Sequence, residues 1–176
     1  KKDIKIKQLK ATYYDTNEMD LQKNKMALRK RKEDNETFAT LKWGGNEEGG
    51  LHKREEINES LNDYDENYFD FRKIFGKYTI AERLETILKG KELISLFQTD
   101  IIREVVVISL EKVEIEFVYD KGDVIGAEKR EAVREIELEL LGGEEESLIE
   151  FGNLLVEKFH VSPSAVTKFE RGLKVI

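Results

Sequence analysis

Three glutamates, Glu135, Glu137 and Glu139, alternate with Ile136, Leu138 and Leu140. An extended chain sends successive side chains to opposite faces, so the carboxylates share one face and the aliphatics the other. Arg29 and Arg31 flank Lys30 in the same pattern, as Glu114 and Glu116 flank Ile115. Close carboxylates are costly unless a metal or an opposing Arg or Lys offsets them. Mg2+ is typically held by one or two carboxylates together with phosphate oxygens. Guanidinium forks grip phosphate bidentately. Acidic and basic strand faces in one chain therefore suit a metal-bound phosphate compound. The plainer alternative is a solvated or salt-bridged strand face, with no ligand at all.

The surrounding elements must position these faces. Strands are expected over Ile4 to Tyr14, Met26 to Arg31, Thr37 to Trp43 and Leu51 to Asn58, the last two forming a hairpin around the glycine-rich loop Gly44 to Gly50. A helix is expected within Ser60 to Phe75. Another begins at Thr79, where Thr79-Ile80-Ala81-Glu82 reads as a capping box and Ile80, Leu84, Ile87 and Leu88 form an apolar stripe ending at Gly90. Leu93 to Leu110 reads as strand with a bend near Thr99-Asp100. Val113 to Tyr119 follows, then a turn at Asp120-Lys121-Gly122-Asp123, Val124 to Ala127, and the acidic strand Val133 to Leu141. Glu144-Glu145-Glu146 opens a helix to about Phe159, with Leu148, Phe151, Leu155 and Phe159 facing the core. A short strand, Val166 to Val175, ends the chain. Strands with one apolar and one charged face, covered by amphipathic helices, imply an α+β fold. Its sheet is expected to close into an antiparallel barrel, which also removes exposed edges.

Composition narrows the function classes. The chain has 176 residues, enough for one domain with a real core. It carries a net charge of -7, which disfavours nucleic acid and anionic membranes at long range. The absence of cysteine excludes a disulfide framework and cysteine-ligated zinc. No signal peptide and no apolar run long enough to span a bilayer is found. A cytoplasmic protein without nucleic-acid or membrane partners is expected. His52 and His160 read as loop or surface residues. Trp43, Tyr13 and Tyr14 read as packing residues, and the glycine pairs lack the spacing of a phosphate-binding loop.

A set of stretches in order carries a resemblance: Tyr13-Tyr14-Asp15-Thr16, Ala27 to Arg31, Thr40-Leu41-Lys42, Arg54 with Glu56, Glu114-Ile115-Glu116 before Asp120-Lys121-Gly122, Glu135 to Leu140, and Thr167 to Gly172. Together they resemble the CYTH domain, or triphosphate tunnel metalloenzyme family, and within it most the bacterial inorganic triphosphatases. That resemblance implies a closed tunnel of eight antiparallel strands with helices outside and a triphosphate compound in the lumen. Mg2+ or Mn2+ is the implied cofactor. Arg29, Arg31, Lys42, Arg54, Arg103, Lys168 and Arg171 would bind substrate. Glu135, Glu137 and Glu139, then Glu114 and Glu116, would bind metal. Glu137, Glu139, Arg29 and Arg31 would carry catalysis. The expected reaction is hydrolysis of inorganic triphosphate or short polyphosphate. Thiamine or nucleoside triphosphatase, adenylyl cyclase and a non-catalytic polyphosphate-binding module are the alternatives. The family's opening Glu-x-Glu-x-Lys strand and helix find no counterpart in Lys1 to Lys7, so residues 1–176 read as one domain without them. Asp120 reads as a turn residue, and Arg171, at opposite strand parity to Lys168, as the weaker ligand.

Overall fold

The computed structural model describes residues 3–48, 51–61, 69–164 and 166–176. Seven strands form one antiparallel sheet: β1 (Lys5–Asp15), β2 (Met26–Glu33), β3 (Glu36–Glu48), β4 (Leu51–Ser60), β5 (Ile94–Ser109), β6 (Val113–Ile125) and β7 (Arg130–Gly143). Their order is β4-β3-β2-β1-β5-β6-β7. The described residues form a curled antiparallel half-barrel with helices, an α+β arrangement consistent with the expected tunnel. In the ladder among the described residues β4 and β7 stand at the two ends of the strand order.

The strands outrun the punctuation in the sequence. β6 passes straight through Asp120-Lys121-Gly122-Asp123, the expected turn. Gly122 pairs with Ile101 on one side and Val133 on the other, and a side chain there would overlap the Asp100 carbonyl. The glycine thus serves close strand approach rather than chain reversal. β3 continues past Gly44 and Gly45, whose φ angles of 66° and 107° form a bulge between Trp43 and Asn46. Gly49-Gly50, at the tip of that expected loop, lie outside the described residues. The irregularity of β5 falls opposite Tyr13/Tyr14 rather than at Thr99-Asp100.

Three helices cover the convex face of β1 to β4: α1 (Asp20–Lys23), α2 (Phe71–Phe75) and α3 (Ile80–Leu88). Ile80, Leu84 and Leu88 of α3 are buried against Leu28, Ala39 and Leu41, and Ile87 packs at the margin. Each fully buried aliphatic of this kind stabilises the fold by about 1.5–3 kcal/mol. The capping box expected at Thr79 does not form. Thr79 itself adopts helical angles (φ -59°, ψ -26°), so its hydroxyl is not in the extended N-cap geometry. The stretch 62–68, part of the expected earlier helix, lies outside the described residues. A fourth helix, α4 (Glu145–Phe159), seats Leu148 and Phe151 on Ile108, Ile115, Leu138 and Leu140. Its stripe is only half covered, since Phe159 is 60% exposed.

The concave face is where the sequence reading fails most instructively. The expected final strand is instead α5 (Lys168–Gly172), opened by a reciprocal capping box between Thr167 and Glu170. It lies in the trough of the sheet. Phe169 packs on Tyr13 and Phe97, which stack on each other at 4.6 Å between ring centroids. Gly172 abuts the Phe97 ring so closely that any side chain would collide with it. Leu9, Ala11, Ile101, Val124, Val133 and Val175 complete this apolar plug.

The Tyr-Tyr-Asp-Thr stretch now has a structural meaning. Tyr13 points into the trough, while Tyr14 stacks on Phe69 outside it. Asp15 is fully buried, and its carboxylate accepts hydrogen bonds from the backbone N–H groups of Thr16 (2.7 Å), Leu21 (2.9 Å) and Gln22 (2.9 Å). Asp15→Ala strands these donors in the interior. It should lower unfolding free energy by about 2–4 kcal/mol, read from the urea midpoint at unchanged m-value. A shift below about 0.5 kcal/mol would show that Asp15 does not anchor α1.

Candidate active site

Strand parity sets what the trough contains. On β2 the inward residues are Arg29, Arg31 and Glu33, cross-paired with Tyr13, Ala11 and Leu9 of β1. On β3 and β4 they are Thr40 with Asn58 and Lys42 with Glu56. Arg103 of β5 stands between Lys7 and Asp120, and Asp120 opposes Glu135. Glu137 follows on the same face of β7. The trough therefore has a mainly cationic wall on β2 and β3 and an acidic wall on β6 and β7, with the small apolar floor of β1 between them.

The acidic wall is tightly organised. Carboxylate oxygens of Asp120, Glu135 and Glu137 lie within 4.8 Å of one another. Arg103 grips Asp120 bidentately, at 2.8 Å from Nε and 2.6 Å from Nη2, and Nη2 also reaches Glu137 at 2.8 Å. From α5, Lys168 Nζ lies 2.7 Å from both Asp120 and Glu137 and also contacts Glu135. One helical turn on, Arg171 meets Glu131 at 3.3 Å and Glu135 at 3.7 Å. Helical spacing brings i and i+3 together, so the parity objection to Arg171 disappears: both cations face β7.

Electrostatics follows from this packing. Burial raises the Glu137 carboxyl, but Lys168 and Arg103 outweigh it and hold the group down at about 2. Burial, together with the Glu137 charge, raises Glu135 despite Lys168 beside it. Burial would lower Lys168 and Arg103, yet their carboxylate partners raise both.

The cationic wall is balanced differently. Lys42 pairs with Glu56 at 2.6 Å, and Arg31 with Glu33 at 3.1 Å, while Lys7 also holds Glu33. Among the described residues Arg29 makes one long hydrogen bond, to the Tyr13 hydroxyl at 3.4 Å. Among these same residues the Nε atoms of Arg29 and Arg31, and on the acidic side that of Arg171, are buried without a hydrogen-bond partner. Burial and the neighbouring Arg29 charge lower Arg31. Buried, unsatisfied donors on mutually repelling guanidinium groups are the mark of a place for an anion.

The expected residues do not all gather here. Glu139 and Glu116 face the trough as a cross-strand pair beyond the triad, and Glu116 lines a cavity of about 270 Å³ with Lys5, Lys7, Val105 and Val107. Glu114 is exposed and accepts a hydrogen bond from the Ser109 hydroxyl at 3.3 Å. Arg54 is exposed on β4. Asp120, expected in a turn, is instead the fully buried centre of the acidic cluster. Lys7 and Glu33 are also inward-facing and unanticipated. Their parity with Tyr13 and Arg31 is the signal that could have found them. His160 ends α4, and the His52 side chain lies outside the described residues.

An all-oxygen carboxylate set of this size suits a hard divalent cation rather than a thiophilic one. Asp120, Glu135 and Glu137 therefore fit the metal that this arrangement implies, provided the ammonium now among them gives way.

Comparison with known proteins agrees with the architecture. Residues 1–173 match the CYTH domain. The inorganic triphosphatase of Haemophilus influenzae is 32% identical over 161 residues, covering 92% of this chain and 44% of that protein. The chain thus spans less than half the length of this curated relative. Among solved structures, a Hippeastrum adenylyl cyclase candidate described as having a dominant triphosphatase activity superposes with a TM-score of 0.70 at 20% identity, covering 98% of this chain and 85% of that one. A Pyrococcus horikoshii protein gives 0.55 at 18% identity, covering 98% and 88%. At such identities these structures speak for the fold alone.

The depressed Glu137 carboxyl makes a pH prediction. Its folded value lies below the unfolded value of about 4.3, so its stabilisation is complete above that pH and lost as pH falls toward about 2. The urea midpoint of the wild type should drop across this window, and that of Glu137→Gln should drop less. Parallel curves would contradict the ion-pair geometry.

Proposed function

Because the chain belongs to the CYTH domain family, we propose that it hydrolyses inorganic triphosphate or short polyphosphate in its trough, with a divalent metal. The observation that carries this reading is the pairing of Arg29 and Arg31, whose buried Nε donors lack partners, with a carboxylate triad on the same concave face. A polyanion that brings its own divalent cation complements both walls at once.

In this reading Arg29 and Arg31 bind non-bridging phosphate oxygens through their planar forks. They hold the charge that builds as the anhydride P–O bond breaks. Lys42 and Arg103 add positive field, and Glu56 and Asp120 orient them. Tyr13 steadies Arg29 from the trough floor. Asp120, Glu135 and Glu137 would hold the metal, Mg2+ or Mn2+, which when bound supplies charge neutralisation and polarisation of the phosphate. Glu139 and Glu116, on the same face but outside the ion-pair cluster, would orient the attacking water. The plug of Tyr13, Phe97 and Phe169 occupies one end of the trough. Those rings pack against each other, so in this reading substrate recognition rests on phosphate rather than on an organic group.

The test is phosphate release from tripolyphosphate with Mg2+, run beside ATP and thiamine triphosphate. Tripolyphosphate should be the preferred substrate, and dominant ATP turnover would overturn the choice. Arg29→Ala and Glu137→Ala should each lower kcat/KM by about 10²–10³-fold while circular dichroism stays native. Arg29→Lys should recover only a small part, because an ammonium cannot reproduce the fork. Unchanged rates in these variants would remove both residues from the site.

A further inference from the structure

Resting on the metal site just proposed, we propose that Lys168 is a stand-in cation. In the ligand-free protein its ammonium occupies the position among Asp120, Glu135 and Glu137 that a divalent metal takes, and metal binding transfers it to a phosphate oxygen.

The first ground is geometric. A single Nζ lies 2.7 Å from Asp120 and 2.7 Å from Glu137 and also contacts Glu135. These are the three carboxylates whose oxygens cluster within 4.8 Å. An ammonium at that hub and a metal ion ligated by the same oxygens exclude each other sterically.

Charge gives the second ground. With Arg103 and Lys168 in place, and Arg171 shared between Glu131 and Glu135, the acidic cluster keeps one net negative charge. A dication added on top would leave the cluster net positive, so a cation has to leave. Arg103 is the poorer candidate. It arises from the middle of β5 and is fixed by two hydrogen bonds to buried Asp120. Lys168 sits at the first turn of a five-residue helix and reaches the triad on a flexible four-carbon stem.

The third ground is where the released ammonium would go. The next residue, Phe169, packs on Tyr13, whose hydroxyl meets Arg29. Lys168 therefore emerges at the boundary between the acidic wall and the arginines with unpartnered Nε donors. Freed from the triad, it faces the place where the phosphates lie. Metal and triphosphate then bind cooperatively, because the metal releases a ligand for the phosphate, and the coupling is reciprocal.

The experiment is a Mn2+ titration without substrate, followed by electron paramagnetic resonance of the free ion. It compares the wild type, Lys168→Met and Lys42→Met, the last as a control that removes a trough cation paired elsewhere with Glu56. Lys168→Met should bind Mn2+ tighter by about tenfold or more. Lys42→Met should stay within about twofold, since its charge lies beyond the triad's own contacts. Calorimetry with a non-hydrolysable imido analogue of tripolyphosphate supplies the second half. Mn2+ should strengthen its binding to the wild type, and Lys168→Met should lose most of that gain. Lys168→Gln repeats both measurements if the methionine variant does not fold. Equal Mn2+ affinity in wild type and Lys168→Met, or equal tightening in Lys42→Met, would overturn the exchange. Tripolyphosphate hydrolysis by the wild type reports on the parent reading separately. Turnover with unchanged Mn2+ affinity sinks the exchange alone, and tightening without turnover supports the exchange and sinks the reaction.

Discussion

The mutual repulsion of Asp120, Glu135 and Glu137 is the constraint on which the rest of this structure depends. Three carboxylates cannot share one sheet face across β6 and β7 at this spacing unless positive charge is held among them. Arg103 supplies part of it from the adjacent strand. Lys168 adds a second cation from outside the sheet, which fixes where α5 must lie. The capping box of α5, the contact of Gly172 with Phe97 and the tilted packing of Phe169 on Tyr13 all serve that one placement. Packing and electrostatics are therefore coupled: the apolar plug positions the lysine, and the lysine makes the acidic wall tolerable.

The opposite wall shows the complementary imbalance. Glu33 and Glu56 offset Arg31, Lys7 and Lys42, but the Nε donors of Arg29 and Arg31 remain without acceptors in the interior. Such groups are stabilised by a ligand rather than by the fold, and proteins retain them where binding repays the cost of leaving them unmet. The trough thus holds an acidic wall filled by the protein's own cations and a basic wall with donor capacity to spare. That asymmetry gives a metal-bound polyanion a unique orientation across the sheet.

Period-two alternation made the charged faces legible. Arg29 with Arg31, and Glu135 with Glu137, share the trough because parity along one strand is a local property that survives folding. The amphipathic stripe of α3 reads equally well. Asp120 was hidden by its neighbours, since Asp-Lys-Gly-Asp carries every cue for a turn while the ladder with Thr99 to Arg103 and Val133 to Glu135 holds it extended. α5 was hidden by Val166 and Val175, which suggest a strand, although Thr167 and Glu170 already spell a helix start. Whether the sheet closes, and which lysine meets which glutamate across more than 30 positions, depends on strand order and curl that no local pattern encodes.

The most direct test of the account is a crystal structure with Mn2+ and the imido analogue of tripolyphosphate, with the metal located by its anomalous signal. The account places the manganese on the oxygens of Asp120, Glu135 and Glu137, with phosphate oxygens on the guanidinium groups of Arg29 and Arg31. A metal and phosphate bound together on the convex face, or anywhere that leaves this trough unchanged, would contradict it.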